Sequence, residues 1–207
     1  MVPDKEPLTR LEYWLGYAFL RIFHRFKVIG KENVPMEGGL VITSNHASYY
    51  DPPVVGAAIF PRRAYYMAKS ELFKSSLIAR LLKRFGAFPV KRDKMNKNAL
   101  KFSMAILKKK RAICVFPQGS RQRETDTSSQ EASQGAAFLA LKTGSQILPV
   151  RLIGTENIMP PKSIFPRPAR ITVVIGKPFL IKSRDEIGSF GDRIMKDIYG
   201  LKAQGRS

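Results

Sequence analysis

The sequence predicts an α/β protein: a single layered domain with a central mixed sheet flanked by helices, led by an N-terminal amphipathic helix. Short apolar, β-branched runs alternate along the chain with stretches of helical periodicity, the order that places one sheet between helices. With 207 residues, of which 44% are hydrophobic, the chain can bury one sizeable core. No internal repeat and no shift in composition marks a second domain, so the division falls at 1–27 for the leading helix and 28–207 for the α/β domain.

Residues 8–24 open the chain. At 100° per residue, Leu8, Leu11, Leu15, Ala18, Phe19 and Ile22 share an arc of about 100°. Leu20, Phe23 and Trp14 widen that arc, while Arg10, Arg21 and His24 cluster on the other side. A broad apolar face, a narrow basic stripe and Trp/Tyr residues describe a helix lying in a membrane interface, with His24 solvated or facing headgroups. The plainer alternative is a helix docked on the core. After the turn-rich "GKENVPMEGG", "LVITSN" (40–45) reads as a buried strand. Residues 53–60 and 71–84 read as helices around a strand at 64–69, and 86–92 as a strand that Pro89 confines to an edge or bulge. An amphipathic helix (96–111) precedes a strand at 112–118. The polar stretch 122–134 reads as a surface loop, 135–144 as a helix stopped by Gly144, 147–154 and 171–176 as strands, and 187–201 as a closing helix.

Charge narrows the partners. Thirty-six Lys plus Arg against 16 Asp plus Glu give +20, a field that attracts nucleic acid, an anionic bilayer or phosphorylated small molecules. The basic residues are spread along the chain without a helix-turn-helix, zinc or RNP-type signature, so nucleic acid is not expected. The single cysteine, Cys114, rules out an internal disulfide and reads as a buried small hydrophobe. No secretory signal pattern is visible, and no run reaches the about 18 apolar residues of a spanning helix.

"ITSNHASYYDPPVV" (42–55) holds the chemistry. His46 follows a strand and precedes a helix, where α/β sheets place their reactive groups. Asp51 before Pro52 reads as a helix N-cap with proline at the first helical position. Asp51 is also close enough to accept a hydrogen bond from one ring nitrogen of His46. That fixes the tautomer and makes the other nitrogen a base for a substrate hydroxyl. No G-x-S-x-G elbow accompanies Ser44 or Ser48, so the acceptor's own hydroxyl is the expected nucleophile.

These residues resemble a known family. "NHASYYDP" looks like the NHxxxxD signature of the glycerolipid acyltransferases, the group that includes 1-acylglycerol-3-phosphate acyltransferase. "GAFPVKRD" (86–93) resembles the second block, "FPQGSR" (116–121) the third, usually FPEGTR, and "ILPV" (147–150) the fourth, in the family's order. The resemblance implies acyl transfer from a thioester, acyl-coenzyme A or acyl carrier protein, to a glycerophosphate hydroxyl, with no cofactor and no metal. It implies His46 as general base, Asp51 as its partner and Arg92 as the grip on the acceptor phosphate. A planar guanidinium suits that grip because it binds two oxygens at once. Lys91, on the opposite strand face, is a candidate oxyanion donor by adjacency. Gly119 and Arg121, just past a strand end, offer further anion donors, and Gln118 and Ser120 complete the block as acceptor contacts.

The chain departs from the family at Gln118, where glutamate is usual, at Ser120 for threonine, and at Gln134 near a common lysine. Glutamine keeps the shape and reach but drops the charge. The expected protein is thus a lysophosphatidate acyltransferase on the cytoplasmic face of an anionic membrane. Two alternatives stand beside it: an acyltransferase of the same family acting on glycerol 3-phosphate or another lysolipid, and a non-catalytic basic binding protein.

Overall fold

The computed structural model describes residues 9–90, 97–118, 130–159 and 166–203. Seven strands form one sheet: β1 (Lys27–Ile29), β2 (Leu40–Ser44), β3 (Ala64–Lys69), β4 (Ala87–Val90), β5 (Ala112–Val115), β6 (Gln146–Ile153) and β7 (Thr172–Ile175). Their spatial order is β1-β7-β6-β2-β5-β3-β4. Every neighbouring pair is parallel except β6 and β7, so the sheet is mixed, as the sequence predicts. The helices are α1 (Arg10–His24), α2 (Asp51–Ile59), α3 (Ser76–Arg84), α4 (Lys97–Lys108), α5 (Gln130–Thr143) and α6 (Asp185–Gly200).

The period of a strand splits the core in two. Leu40 and Ile42 of β2 join one cluster with Val54, Val55 and Ile59 of α2, onto which Leu20 of α1 and Leu82 of α3 also pack. Val41 points the other way, into a second cluster with Ile106 of α4, Ala136 and Ala140 of α5, and Phe190, Ile194 and Ile198 of α6. The central strand β2 is buried along its whole length, as expected for a parallel strand covered on both faces. β4 lies at one end of the sheet, which suits Pro89, since an edge strand has a side with no ladder to break.

Four details depart from the sequence reading. β1 was not foreseen: three residues are too short for a periodic signal, and the strand exists because buried Phe26 sets it against β7. The 71–84 stretch is a 3-10 turn (Ser70–Phe73) followed by α3. Helix α5 begins at Gln130, inside the stretch read as a loop, although its polar start carries no amphipathic pattern. The fourth concerns α1. Its docked stripe is Tyr13, Tyr17, Leu20 and His24, at i, i+4, i+7 and i+11. His24 is fully buried among Phe19, Phe23 and Tyr50, not solvated. Tyr13 stacks on Phe60 at the end of α2. The side that looked basic therefore supplies the docking stripe, because the tyrosines and His24 present flat apolar bodies. The arc of Leu11, Leu15, Phe19 and Ile22 faces solvent, with Ile22 84% exposed. Leu8 lies outside the described residues.

Candidate active site

β2 and β5 run parallel, with Thr43 opposite Val115, so the loops that leave their carboxyl ends are neighbours. The first loop carries His46 and Asp51, the second Phe116 and Gln118. Asn45 anchors the exit of β2. Its side chain donates from Nδ2 to the Leu152 carbonyl (2.9 Å) and accepts from the Leu152 N–H (2.7 Å), extending the ladder to β6 by one side chain. His46 therefore leaves a strand whose end is pinned on both sides.

Asp51 is completely buried. It is the first residue of α2, and Tyr50, not Asp51, is the cap residue, so proline sits one place further in than the sequence reading put it. The carboxylate turns back into the loop. Its Oδ2 accepts from His46 Nδ1 (2.8 Å), the Ala47 N–H (2.7 Å) and the Ser48 N–H (2.8 Å). An ionised carboxylate can only accept, so Nδ1 carries the ring proton and Nε2 keeps its lone pair.

Two further contacts hold the imidazole. The Phe116 ring stacks on it with centroids 4.1 Å apart and planes at 21°. The backbone N–H of His46, which sets where the ring is carried, donates to Gln118 Oε1 (2.9 Å). Because that atom must accept, the amide orientation is settled, and Nε2 of Gln118 donates to the Tyr199 hydroxyl of α6 (3.0 Å). Tyr199 is fixed in turn: Arg151 donates to the Tyr199 and Leu201 carbonyls at 2.6 and 3.0 Å and lies over the Tyr199 ring, capping the last turn of α6 with a positive charge. Cys114 lies beneath the site, buried, with burial and the Asp51 charge holding its thiol well above the usual range. It behaves as the small hydrophobe its context suggested.

The structure thus brings His46, Asp51 and Gln118 together. Lys91, Arg92, Gly119, Ser120 and Arg121 lie outside the described residues. The strands leading to them, β4 ending at Val90 and β5 at Val115, point to the same edge as β2. Sequence reasoning missed Asn45, Phe116 and Tyr199 as members of the site. Asn45 and Phe116 stand within quoted motifs and could have been found there; Tyr199 is about 80 residues from its partner and carried no local signal. Among the described residues no group of three His, Cys, Asp or Glu could hold a metal. An open groove of about 800 Å³ between Pro149, Gly176 and α6 is lined by neither His46 nor Asp51.

A family model described as Acyltransferase matches residues 25–153, which include the whole of this constellation except Tyr199. The chain belongs to the acyltransferase family. Its relatives agree. It is 31% identical over 152 residues to the 1-acyl-sn-glycerol-3-phosphate acyltransferase of Bacillus subtilis, covering 73% of this chain and 72% of that one. It is 30% identical over 167 residues to the enzyme of the same name from Streptococcus pneumoniae, covering 78% and 60%. Among solved structures, the 1-acyl-sn-glycerophosphate (LPA) acyltransferase PlsC from Thermotoga maritima shares the fold, with a TM-score of 0.72 and 24% identity over 94% of this chain and 80% of that one. The chain is accordingly an O-acyltransferase, and the paired imidazole and carboxylate stand within the part that carries the family likeness.

Proposed function

We propose that the protein transfers a fatty acyl group from acyl-coenzyme A or acyl carrier protein to the sn-2 hydroxyl of 1-acyl-glycerol 3-phosphate, making phosphatidic acid at the cytoplasmic face of an anionic membrane. The observation that carries this reading is the His46–Asp51 pair, an imidazole whose tautomer is set by a buried acceptor and whose Nε2 is left as a base. Nε2 removes the acceptor's hydroxyl proton as the oxygen attacks the thioester carbonyl. The tetrahedral oxyanion then collapses, the carbon–sulfur bond breaks, and the imidazolium returns its proton to the leaving thiolate. A positioned base of this kind contributes about 10²–10⁴ in rate. Asp51 stabilises the imidazolium, and no covalent enzyme intermediate is needed.

Arg92 is assigned to the acceptor phosphate, with Lys91, Arg121 and the Gly119–Ser120 backbone as donors to phosphate or oxyanion. Gln118 is assigned to holding the His46 loop, since both ends of its amide are engaged inside the protein. The membrane part of the reading rests on the outward apolar arc of α1 and the +20 charge. No helix among the described residues is long and apolar enough to cross a bilayer. Purified protein, one labelled thioester and a panel of acceptors test the proposal: lysophosphatidate is expected to be acylated in preference to glycerol 3-phosphate and lysophosphatidylcholine. Equal use of monoacylglycerol, which carries no phosphate, would remove the phosphate clamp from the account.

A further inference from the structure

Large exposed apolar side chains are not scattered over this molecule. Among the described residues they concentrate on α1 and on the segment from the 3-10 turn through α3, where Leu72, Leu77, Ile78 and Leu81 lie open; Met36, Tyr49 and Leu180 are the others. α3 has no buried residue at all, although it reads SLIARLLKR and four of its nine residues are Leu or Ile. A nine-residue helix gains little from propensity alone in water, so an apolar face left in solvent calls for a partner. Leu77, Ile78 and Leu81 fall within about 100° of one another around the helix axis, and Leu77 is 74% exposed.

The chemistry of that partner is set by what surrounds the face. Lys74, Arg80 and Lys83 are exposed on or beside α3, and the helix contains no acid. A second copy of the chain would bring these charges against each other, whereas an anionic bilayer would neutralise them. The face is also continuous with α1. Arg84, in the last turn of α3, grips Glu12 of α1 through two nitrogens, with Nε–Oε1 at 2.9 Å. Glu12 lies beside Leu11 and Leu15 on α1, so the ion pair stands at the seam between two exposed apolar faces. Its hydrogen bonds to Thr9, with the Arg84 guanidinium, hold the Glu12 carboxyl down at about 2, so it stays charged at any physiological pH. α1, α2 and α3 all pack on the same side of the sheet.

We propose that α3 is a second membrane-inserting limb, locked beside α1 by the Glu12–Arg84 pair, so that the protein meets an anionic bilayer on two helices. The proposal rests on the membrane reading given above and extends it to a segment remote in sequence. The 3-10 turn and α3 leave β3 at the carboxyl edge of the sheet, the edge that carries His46. A bilayer held against α3 would therefore lie near the site that receives the lipid acceptor.

Two built-in features make the test clean. Trp14 of α1 is the only tryptophan, so its fluorescence reports on α1 alone. Cys114 is the only cysteine and is buried, so Leu81→Cys supplies the sole accessible thiol for an environment-sensitive fluorophore on α3. The full chain is mixed with vesicles of equimolar phosphatidylglycerol and phosphatidylcholine. Quenching of both Trp14 and the residue-81 label by brominated acyl chains is expected. The double variant Leu77→Ser, Leu81→Ser is expected to bind these vesicles at least roughly tenfold more weakly while keeping its circular dichroism and its turnover of a monomeric short-chain acceptor. Quenching of Trp14 without quenching at residue 81, or unchanged vesicle binding by the double variant, overturns the second limb and leaves the α1 reading standing. Absence of binding by the unsubstituted protein overturns both. A dimer that the same double substitution dissociates, with vesicle binding unaltered, makes the face a contact between copies instead.

Discussion

Asp51 Oδ2 serves three donors at once, and this decides what its substitutions do. In Asp51→Asn, the amide oxygen must stay where Ala47 and Ser48 donate, so Nδ1–H of His46 keeps an acceptor and its tautomer. What is lost is the negative charge opposite the imidazolium, for which a fall in kcat of roughly 100-fold is expected. Asp51→Ala removes the acceptor as well and is expected to cost roughly tenfold more. Steady-state kinetics on the two variants separate charge from tautomer: equal losses would show that the charge alone matters. Tyr199→Phe takes the acceptor from Gln118 Nε2, leaving a buried N–H unpaired and loosening the loop that bears His46. The expected result is a several-fold lower kcat with KM for the acceptor unchanged; a change confined to KM would place Tyr199 in substrate binding. At this scale the sequence disclosed that His46 and Asp51 pair, since they stand five positions apart across one turn. It was silent on Tyr199, whose contact is made by folding.

Helix α1 shows how an element can be found correctly and its inner side misassigned. The apolar arc read from the sequence is real, but it faces outward, while a stripe of two tyrosines, Leu20 and His24 makes the contact with α2. Periodicity locates an amphipathic helix and does not say which solvent, core or lipid, covers its apolar side. The burial of His24 has a consequence for pH. Burial pushes its pKa below the ordinary histidine value, offset in part by the Ala169 backbone nearby, and neither ring nitrogen makes a hydrogen bond of ordinary geometry. Near and below pH 6.5 the unfolded chain takes up a proton that the native His24 resists, so stability falls as pH drops through that window and is unaffected above it. Thermal melts between about pH 7.5 and 5.5 are expected to show a falling Tm that flattens in His24→Phe. An identical slope in the variant would mean that other groups govern it. The same docking shows that removing residues 1–24 would strip Tyr13 and Leu20 from the core, so substitutions on the exposed arc are the proper probe of membrane contact.

For the molecule as a whole, alternation of strands and helices was enough to give an α/β layer, and of the edge or bulge that Pro89 left open for β4 the structure shows the edge. The order of the strands, the antiparallel return of β7 and the existence of β1 were not legible, because they are set by pairings between separate strands, some as remote as Lys27 with Thr172, and no local pattern announces them. The sheet brings together loops that the sequence keeps at 46 and 118, and β4 runs parallel to the strands that carry them. His46 is the point on which the whole account turns. The most direct test is kcat for acyl transfer to lysophosphatidate in purified His46→Ala, beside its circular dichroism. We expect an unchanged spectrum and a loss of at least about 10³-fold; turnover within tenfold of the native protein would contradict the assignment of its imidazole as the base.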